Sequence, residues 1–574
     1  MPNTIDFKLN SWLENAGIIG LTRIVQKSKY TIENNILHLD QDELPNLAHD
    51  YFDYFINTYG KYLRYYRLVS MKNTLLDWQD QGLDNFTEDE LKYLITWFDD
   101  VLKHNMNLKT YKTVIKFLND DFDVTAVFKQ CNALMRILKK KNAFTKKHDE
   151  VIQTLSTLIP KLLQIIAYFE KPNASKHFQA NMLANRIIEN AWTGAAFLDR
   201  ANNKEPDIYR SFTNYFVQPV IDYLQADHSK DQYFCSNCGR KVGKERRTYT
   251  FLNGMGYNPT KKQSNGWNYN NDLYVCPICY LMYACTSAGF TYNMNHDGIF
   301  VNNNKSVKIL KHTNDAILET MTTDLTNSSN TSVYQSFIKA YHHELASNSR
   351  YMLANIQMIK YQNDHYTFQI IPEVGAKVLK YATDMTLKNG KPLLDTLYSI
   401  GITNFNGQNY YSLFDEIINR LFNNTNLTPL IQILEQLKAT DTAGCYYNVS
   451  HIINIIHINS EFINQIIKRQ GDKQTMIDQK EISQMRHQGV QMKESYTNKS
   501  NANKAQALAY RMLNALRVNN TDAFMDLLLN ACLYQNSYVP NIFLTTKHDP
   551  QVFKEYGYAF VAGLIGQKEV DATK

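Results

Sequence analysis

FCSNCGRKVG (residues 234–243) and NDLYVCPICYLMYACTSAGF (residues 271–290) each contain one CxxC pair, and 37 residues separate the two pairs. A tight CxxC turn presents two thiolates, and two such turns can close a tetrahedral site around one metal ion. Soft thiolate ligands in this geometry favour zinc, with iron as the alternative metal. The sequence therefore predicts a structural zinc site whose ligands are Cys235, Cys238, Cys276 and Cys279.

Four further cysteines lie outside the two pairs. Cys285 and His296 are alternative ligands, although we expect both to be bystanders. Cys131, Cys445 and Cys532 lie in helix-like surroundings and are expected to be small buried residues. Without a metal, the two pairs would be unconnected reduced thiols, since a reducing cytosol disfavours disulfides. A four-cysteine site leaves no open coordination position, so the predicted role of the metal is structural rather than catalytic.

The segment between the two pairs is basic and polar. From Ser236 to Val275 it contains seven Lys or Arg residues and two acidic residues, which leaves a net charge of +5. Lys and Arg neutralise phosphates, while Asn and aromatic side chains contact base edges or stack on bases. The alternative is a solvated charged face in which Trp267 and the tyrosines pack over the metal. We expect this segment to contact nucleic acid.

The rest of the 574-residue chain has mainly helical patterns. Apolar residues recur at three- and four-residue steps before residue 230, and Thr87 begins a capping box. Tyr366–Ile371 has the pattern of a strand that pairs with Asn355–Tyr361. We predict an α+β, predominantly helical multidomain protein with a zinc-ribbon-like four-cysteine module. Its four segments are a mainly helical domain at 1–230, the cysteine module with its basic loop at 231–304, a mixed α/β region at 305–460 and a helical bundle at 461–574.

The composition and the apolar stretches of the sequence indicate the cellular compartment of the protein. A net charge of +6 and a hydrophobic content of 44% fit a protein with several cores. Residues 1–13 lack a basic region followed by an apolar run, so they do not look like a secretory signal. The most apolar stretches, such as Leu158–Phe169, are interrupted by Pro160 and Lys161 and are too short to span a bilayer. We expect a soluble, cytoplasmic protein with no membrane contact.

A second basic segment runs from Lys468 to Arg517. It contains ten Lys or Arg residues and four Asp or Glu residues, so its net charge is +6. A charge-rich helix surface is often only solvated, which is the alternative here. Six of these cations lie on predicted helices or their connecting turns: Arg486, Lys493, Lys499, Lys504, Arg511 and Arg517.

The two cysteine segments, the polar run before the second pair and the opening SWLENAGIIGLTRIV (residues 11–25) resemble one family. This is the CXXC–CXXC type of Cascade large subunit, the Cas-eight-b proteins of CRISPR subtype I-B. The resemblance covers essentially the whole chain. It implies an RNA-guided antiviral complex in which this subunit recognises the protospacer-adjacent motif on target duplex DNA, helps to open the duplex and recruits the helicase-nuclease Cas-three. The implied partners also include guide RNA and the backbone, foot or handle-binding, and small subunits.

The resemblance also implies which residues contact DNA. In the cysteine module the candidates are Arg246, Arg247, Asn258, Lys261, Lys262, Asn265, Trp267 and Asn268. Related large subunits end in a helical bundle that lines the nucleic-acid path, so the six cations of the second basic segment are candidates there. The family can also make its C-terminal bundle as a separate small subunit, which here would start near Met476 or Met485.

Motifs of hydrolytic enzymes are weak in this sequence. Three HD dipeptides lack the further ligands that a two-metal centre needs: His148-Asp149, His296-Asp297 and His548-Asp549. His342-His343-Glu344 lacks the HExxH spacing, and no GxxxxGK[ST] or GxSxG motif is present. We therefore expect a subunit that is not an enzyme. The alternatives are a zinc-ribbon nucleic-acid-processing enzyme with scattered catalytic residues, and a structural assembly protein whose zinc module contacts only proteins.

Overall fold

The computed structural model describes most of the chain, and the chain divides into two compact units. The described residues are 3–118, 124–140, 142–191, 205–243, 247, 274–293, 297–303, 305–326, 332–339, 356–362, 365–471, 475–498 and 502–566. Unit 1 consists of Met1–Asn330 and Ile359–Thr367, and unit 2 of Thr331–Met358 and Phe368–Lys574. Helices predominate and the sheets are small, which confirms the predicted α+β class. The division into four segments stays a prediction.

Helices form most of unit 1. Two π-turns, Phe98–Lys103 and Thr213–Val217, join α4 to α5 and α11 to α12, so each pair continues as one helix. The predicted capping box at Thr87 is confirmed at the start of α4. The described α-helices are α1 (Trp12–Ile24), α2 (Leu47–Tyr59), α3 (Arg64–Asp80), α4 (Glu88–Trp97), α5 (His104–Asn107), α6 (Lys109–Leu118), α7 (Thr125–Leu138), α8 (Ala143–Lys146), α9 (His148–Glu170), α10 (Pro172–Arg186), α11 (Ile208–Phe212), α12 (Gln218–Gln225), α13 (Pro277–Ala284), α14 (Thr286–Gly289) and α15 (Val307–Thr326).

The strands of unit 1 form three small sheets of orders β1-β3-β2, β4-β5 and β6-β7-β8-β9. The last sheet includes the hairpin that was predicted around Tyr366, and the middle of this hairpin lies in unit 1. The strands are β1 (Thr4–Lys8), β2 (Tyr30–Glu33), β3 (Ile36–Asp40), β4 (Tyr233–Phe234), β5 (Lys241–Val242), β6 (Thr291–Tyr292), β7 (Gly298–Asn302), β8 (Gln357–Gln362) and β9 (His365–Ile370).

Helix α9 contains the most apolar stretch of the sequence. Its 23 residues give it the length and composition that crossing a membrane would need, and among the described residues it is the one helix that meets both criteria. One side of it is buried and packs against α3, α7 and α10, as in the core helix of a soluble protein. Pro160 does not break the helix, and both Pro160 and Ser156 lie on its exposed side. There water can satisfy the carbonyl group that the proline leaves without a donor.

Unit 2 is a helical assembly with one sheet of order β11-β10-β12. Its strands are β10 (Gly401–Phe405), β11 (Gln408–Ser412) and β12 (Cys445–Tyr446). The described helices are α16 (Glu373–Asp384), α17 (Leu413–Phe422), α18 (Thr428–Ala439), α19 (Val449–Gln470), α20 (Gln479–Asn498), α21 (Ala502–Arg517), α22 (Thr521–Gln535), α23 (Asn541–Thr545) and α24 (Pro550–Ile565).

Helix α24 is the centre of unit 2 and packs against α18, α19, α20 and α21. The α20–α24 crossing is close because both helices have glycine at the contact. A Cβ atom on Gly489 would lie 2.1 Å from the carbonyl oxygen of Phe560, and one on Gly563 would lie 2.2 Å from that of Arg486. No real Cβ approaches a backbone oxygen so closely, so this crossing requires glycine on both helices.

Two glutamates are fully buried in this core, Glu435 on α18 and Glu555 on α24. Glu555 accepts hydrogen bonds from Asn459, Ser460 and Thr428 at 2.7–3.3 Å. Neither carboxyl oxygen of Glu435 has a hydrogen-bond partner among the described residues. Burial raises the pKa of Glu555 to about 7, despite these hydrogen bonds. Burial, and then the negative charge of Glu555, raise the pKa of Glu435 well above its usual range.

Candidate metal centre

The first CxxC pair lies in the turn that joins β4 to β5. The backbone N–H of Cys235 donates to the carbonyl of Arg240 at 2.8 Å, and that of Gly239 donates to the carbonyl of Cys235 at 2.9 Å. Gly239 has φ +71°, a left-handed conformation that glycine adopts without steric strain. The glycine after the pair therefore lets the chain fold back, so that Cys235 and Cys238 face the same point.

The second CxxC pair opens helix α13. Cys276 is the N-cap residue, and its Sγ accepts a hydrogen bond from the backbone N–H of Cys279 at 3.4 Å. Pro277 occupies the first turn, where its missing N–H is not needed. The free N–H groups and the dipole at a helix N-terminus stabilise negative charge, which favours thiolates at this position.

Backbone contacts bring the two pairs together. Ser236 donates from its N–H and from its Oγ to the carbonyl of Tyr274, at 2.7 and 2.9 Å. The four Sγ atoms all lie within 4.8 Å of one another, and those of Cys238 and Cys276 are 3.6 Å apart. A tetrahedron with metal–sulfur bonds of ~2.3 Å has sulfur–sulfur distances of about 3.8 Å. The donor set therefore fits one four-coordinate metal ion, and the four cysteines could hold it.

The thiols cannot all ionise without a cation. Hydrogen bonds from Cys238, Cys276 and Cys279 lower the pKa of Cys235 far below its usual range. Contacts with Cys235, Cys238 and Cys276, followed by burial, raise the pKa of Cys279 far above its usual range. Cys235 opposes the ionisation of Cys238, but hydrogen bonds from Cys276 and Cys279 lower the pKa of Cys238 to about 6. Two thiolates are thus stabilised by two neutral thiols, and ionisation of the remaining two is opposed by the charge already present. A divalent cation at the centre would remove this conflict, as expected for a metal site.

Two side chains form an outer layer around the thiols. Asn237 donates from Nδ2 to the Sγ of Cys279 at 3.3 Å. Burial opposes the charge on Arg240, but the charge of Cys238, a hydrogen bond to it and the charges of Cys276 and Cys279 together outweigh burial and raise the pKa of Arg240. The guanidinium also donates to the carbonyl of Asp6 at 3.3 Å, which ties the first pair to β1. Such outer contacts orient metal ligands and balance their charge.

His228 and Tyr223 support the first pair from the side of α12. Both ring nitrogens of His228 lie 2.7 Å from an acceptor, one from Asp231 and the other from the carbonyl of Tyr223. Burial opposes the charged ring, but these two hydrogen bonds and the nearby carboxylates together raise the pKa of His228. The ring of Tyr223 stacks on the imidazole at 3.9 Å, and its hydroxyl donates to the carbonyl of Lys241 at 2.7 Å. The connection from α12 to β4 is thus tied to the strand that leaves the first pair.

Helix α1, which contains the opening motif, packs directly on the helices that follow the second pair. A Cβ atom on Gly20 would lie 1.9 Å from the carbonyl oxygen of Cys285, and one on Gly17 would lie 2.4 Å from that of Met282. In the same way, a Cβ atom on Gly289 of α14 would lie 2.0 Å from the carbonyl oxygen of Ala16. The glycines of the opening motif thus allow α1 to touch the backbone of α13 and α14. Resemblance alone gave no structural reason for this motif.

Arg23 holds the far end of the same contact. Its side chain is 2% exposed and donates to the carbonyls of Ala288, Gly289 and Phe290 at 2.9–3.2 Å. These carbonyls lie at the C-terminal end of α14, where helix groups lack internal partners. The guanidinium also lies 3.3 Å from a carboxyl oxygen of Asp315. One buried cation therefore joins α1, α14 and α15.

Replacing Arg23 by methionine is expected to lower the free energy of unfolding of unit 1 by about 3 kcal/mol. The variant keeps the apolar stem but leaves three carbonyls and Asp315 without their buried cation. Chemical denaturation at pH 7 measures the change. The matched control is Arg210→Met, since Arg210 is 71% exposed and only 3.4 Å from Glu205, and exposed pairs contribute little. Equal stability of the two variants would contradict the assigned role of Arg23.

Most of the DNA-contact candidates in the module lie outside the described residues: Arg246, Asn258, Lys261, Lys262, Asn265, Trp267 and Asn268. Arg247 is described and its backbone pairs with Val275. Its guanidinium lies 5.0 Å from the ring centre of Tyr280 and donates to the carbonyl of Tyr215 at 3.2 Å. Arg247 therefore holds its part of the segment between the two pairs next to the second pair. Its predicted DNA contact stays a prediction.

The cations of the second basic segment have different surroundings. Arg486 donates to Ser450 at 3.3 Å. Lys493 donates to the carbonyls of Ile565 and Gly566 at 2.9 and 2.7 Å, and so caps the C-terminal end of α24. Lys504 lies 5.6 Å from the ring centre of Tyr534. Three of the set are exposed on α21: Lys504, Arg511 and Arg517. Lys499 lies outside the described residues, and the nucleic-acid path stays a prediction.

Other ionisable motifs have structural surroundings. Asp549 is the N-cap of α24 and accepts from the N–H of Val552 at 3.2 Å. Asp149 is fully exposed in the first turn of α9. His296 and the His342-His343-Glu344 motif lie outside the described residues. Cys285 is buried but does not belong to the cysteine group. Within the described part of the chain, the four cysteines are the one group of three or more His, Cys, Asp or Glu residues arranged to hold a metal.

Comparison with known proteins gives one match. Residues 228–291 match the model of a family described as CRISPR-associated protein (Cas_CXXC_CXXC). The matched stretch begins at His228, which supports the first cysteine pair, and ends at Thr291, the first residue of β6. No curated protein and no solved structure matches the chain. The match covers both cysteine pairs and supports a CRISPR-associated protein of this family.

Proposed function

We propose that this protein is the large subunit of a subtype I-B RNA-guided surveillance complex. The observation that carries the proposal is the family match over 228–291, which coincides with the four-cysteine centre. The opening motif adds support because its glycines pack on the helices that follow the second cysteine pair. In this role the protein works in antiviral defence in the cytoplasm, with guide RNA and the backbone, foot or handle-binding, and small subunits as partners.

We propose zinc as the resident metal and a role without catalysis. Four thiolates complete a tetrahedral shell and leave no position for a reacting water. When bound, the ion would supply positive charge that holds the four thiols deprotonated. The chain does the remaining work: Cys276 begins α13, Gly239 turns the first pair, and Arg247 fixes the neighbouring segment through Tyr280 and Tyr215.

In this proposal the basic segment between the pairs contacts target duplex DNA next to the protospacer-adjacent motif. Both ends of the segment are held at the metal centre, the first by Cys238 and the second by Cys276. Its net charge of +5 suits a phosphate backbone, and its Asn residues suit base edges. The same subunit would help to open the duplex and recruit the helicase-nuclease Cas-three.

Purification of the tagged protein from its native cell tests the proposal. We expect a guide RNA of uniform length and repeated backbone subunits to co-elute. Lys261→Ala/Lys262→Ala should weaken binding of the complex to motif-bearing duplex DNA and reduce its salt dependence. The control Lys72→Ala/Lys176→Ala removes two lysines that already pair with Glu170 and Asp53. Elution free of RNA would contradict the proposal, and metal-dependent DNA cleavage by the chain alone would favour a processing enzyme.

The two candidate internal start sites, Met476 and Met485, differ in their position relative to α20. Met476 is exposed and precedes α20, so a fragment that starts there keeps α20 to α24 complete. Met485 is buried inside α20, so a start there removes the first turns of the helix that crosses α24 at Gly489. If a small subunit is produced, we propose Met476 as its first residue. Mass spectrometry of the native complex measures the fragment's N-terminus.

A further inference from the structure

The most basic part of unit 1 lies in helices to which the sequence analysis gave no role. Residues 109–147 contain ten Lys or Arg and three Asp, so their net charge is +7, more than that of the whole chain. The three aspartates are all within 120–123. Residues 124–147 contain seven basic residues and no acidic residue.

The cations form two rows, each on the exposed side of an amphipathic helix. The α6 row consists of Lys109, Lys112 and Lys116, opposite the buried Tyr111 and Val114. The α7 row consists of Lys129, Arg136 and Lys140, where Lys140 follows the end of the helix and the buried side holds Val127, Cys131 and Leu134. Lys116 lies seven positions after Lys109, and Arg136 lies seven positions after Lys129. At 1.5 Å per residue, each of these pairs spans ~10 Å along its helix.

The rows differ from other lysines of unit 1 in their partners. Lys72, Lys92, Lys103 and Lys176 each form an ion pair with a carboxylate. None of the six cations in the two rows forms an ion pair with a described residue. Their charge is therefore not neutralised by these parts of the protein, and an external polyanion would meet three separate cations on each helix.

The surroundings of the rows identify the kind of polyanion. A protein interface has an apolar core, but among the described residues of α6 and α7 no large hydrophobic residue is exposed. The exposed neighbours are small or polar, such as Thr125, Ala126 and Ala133. We infer that the α6 and α7 rows bind the sugar-phosphate backbone of nucleic acid, without reading its bases. This inference goes beyond the proposed function, which assigns no role to these helices.

Salt-dependent binding of the full-length protein to a fluorescent duplex of random sequence tests the inference. The variants are Lys109→Gln/Lys112→Gln/Lys116→Gln for the α6 row and Lys129→Gln/Arg136→Gln/Lys140→Gln for the α7 row. The control, Lys72→Gln/Lys92→Gln/Lys176→Gln, removes the same number of charges from ion-paired lysines. Each lost phosphate contact lowers the slope of log affinity against log salt by about 0.9. We expect each row variant to lose up to ~2.7 in slope, and the control to keep the wild-type slope.

Two outcomes would overturn the inference. In one, both row variants keep the slope of the control. In the other, labelled polyglutamate binds wild-type protein as tightly as the duplex and loses binding in the row variants, which would assign the rows to an acidic protein. Thermal melting checks that the exposed substitutions leave the fold intact. Co-purification of guide RNA with the same variants is a separate readout, so failure of the proposed function is distinguished from failure of this inference.

Discussion

Replacing Cys276 by serine is expected to remove the metal and unfold the segment from β4 to α14. Serine is a poor ligand for a soft four-sulfur site, but its hydroxyl can cap α13 in place of the Cys276 thiol, so the change removes a ligand and leaves the helix start intact. Structural zinc in small domains contributes on the order of 10 kcal/mol to folding. Elemental analysis should find one metal ion per chain in the wild type and none in the variant, and limited proteolysis should cut the variant near the cysteine pairs.

The matched control for this change is Cys445→Ser. Cys445 is half-buried in unit 2 and does not belong to the cysteine group. This variant should keep its metal and its protease resistance. The same elemental analysis decides between zinc and iron. A Cys276→Ser protein that retains one metal ion and melts like the wild type would show that the four cysteines are not its ligands.

Replacing Glu435 by glutamine is expected to stabilise unit 2 relative to the wild type, by an amount that grows as the pH rises above 4.5. A carboxyl whose pKa is raised on folding keeps its proton in the folded state, while in the unfolded state it ionises above its usual pKa of 4.5. Its stabilising contribution is therefore complete below pH 4.5 and is lost as the pH rises toward the folded pKa. Each pH unit in this window lowers the free energy of unfolding by about 1.4 kcal/mol. Glutamine has a similar shape and does not titrate, so the variant escapes this loss.

Denaturant unfolding of unit 2 between pH 4.5 and pH 8 measures this difference. Wild type and Glu435→Gln should be nearly equal at pH 4.5 and separate steadily above it. Glu555, with a pKa of about 7, is present in both proteins and gives them a shared slope up to that pH. The control is Glu373→Gln, because a hydrogen bond from Lys377 lowers the pKa of the exposed Glu373. Parallel curves for wild type and Glu435→Gln would mean that Glu435 has a solvated or paired carboxyl.

The cysteine centre and the long helices could be predicted because their signals are local. The spacing of the two CxxC pairs identifies the four candidate metal ligands. The Thr87 capping box marks a helix start within four residues. The β2–β3 hairpin had a local signal that the helical interpretation missed. Asn34 and Asn35 form its two-residue turn, both with positive φ, and Asn is among the residues that tolerate this conformation. The seven cations between Lys129 and Lys147, with no acidic residue among them, were also visible in the sequence.

Other features could not be predicted because they depend on distant residues. The glycine at position 20 is explained only by its contact with the backbone of Cys285. The buried charge of Arg23 is explained only by its contacts with Ala288 and Asp315. In the second basic segment a charge count treats all Lys and Arg residues alike. Lys493 nevertheless donates to a carbonyl at the C-terminal end of α24, whereas Arg511 is exposed to solvent. Only the fold separates cations that stabilise the protein from cations that are available to a ligand.

The contact between α1 and α14 has a consequence for the order of folding. Gly20 meets the backbone of a residue 265 positions later in the chain. At ~5–20 residues per second, a ribosome makes Cys285 about 13–50 s after Gly20. During that time α1 can pack on α2 but not on α13 and α14, whose backbone its glycines contact, so this glycine face must stay free of other contacts. The glycine face of the opening motif is therefore made early in unit 1 and buried late.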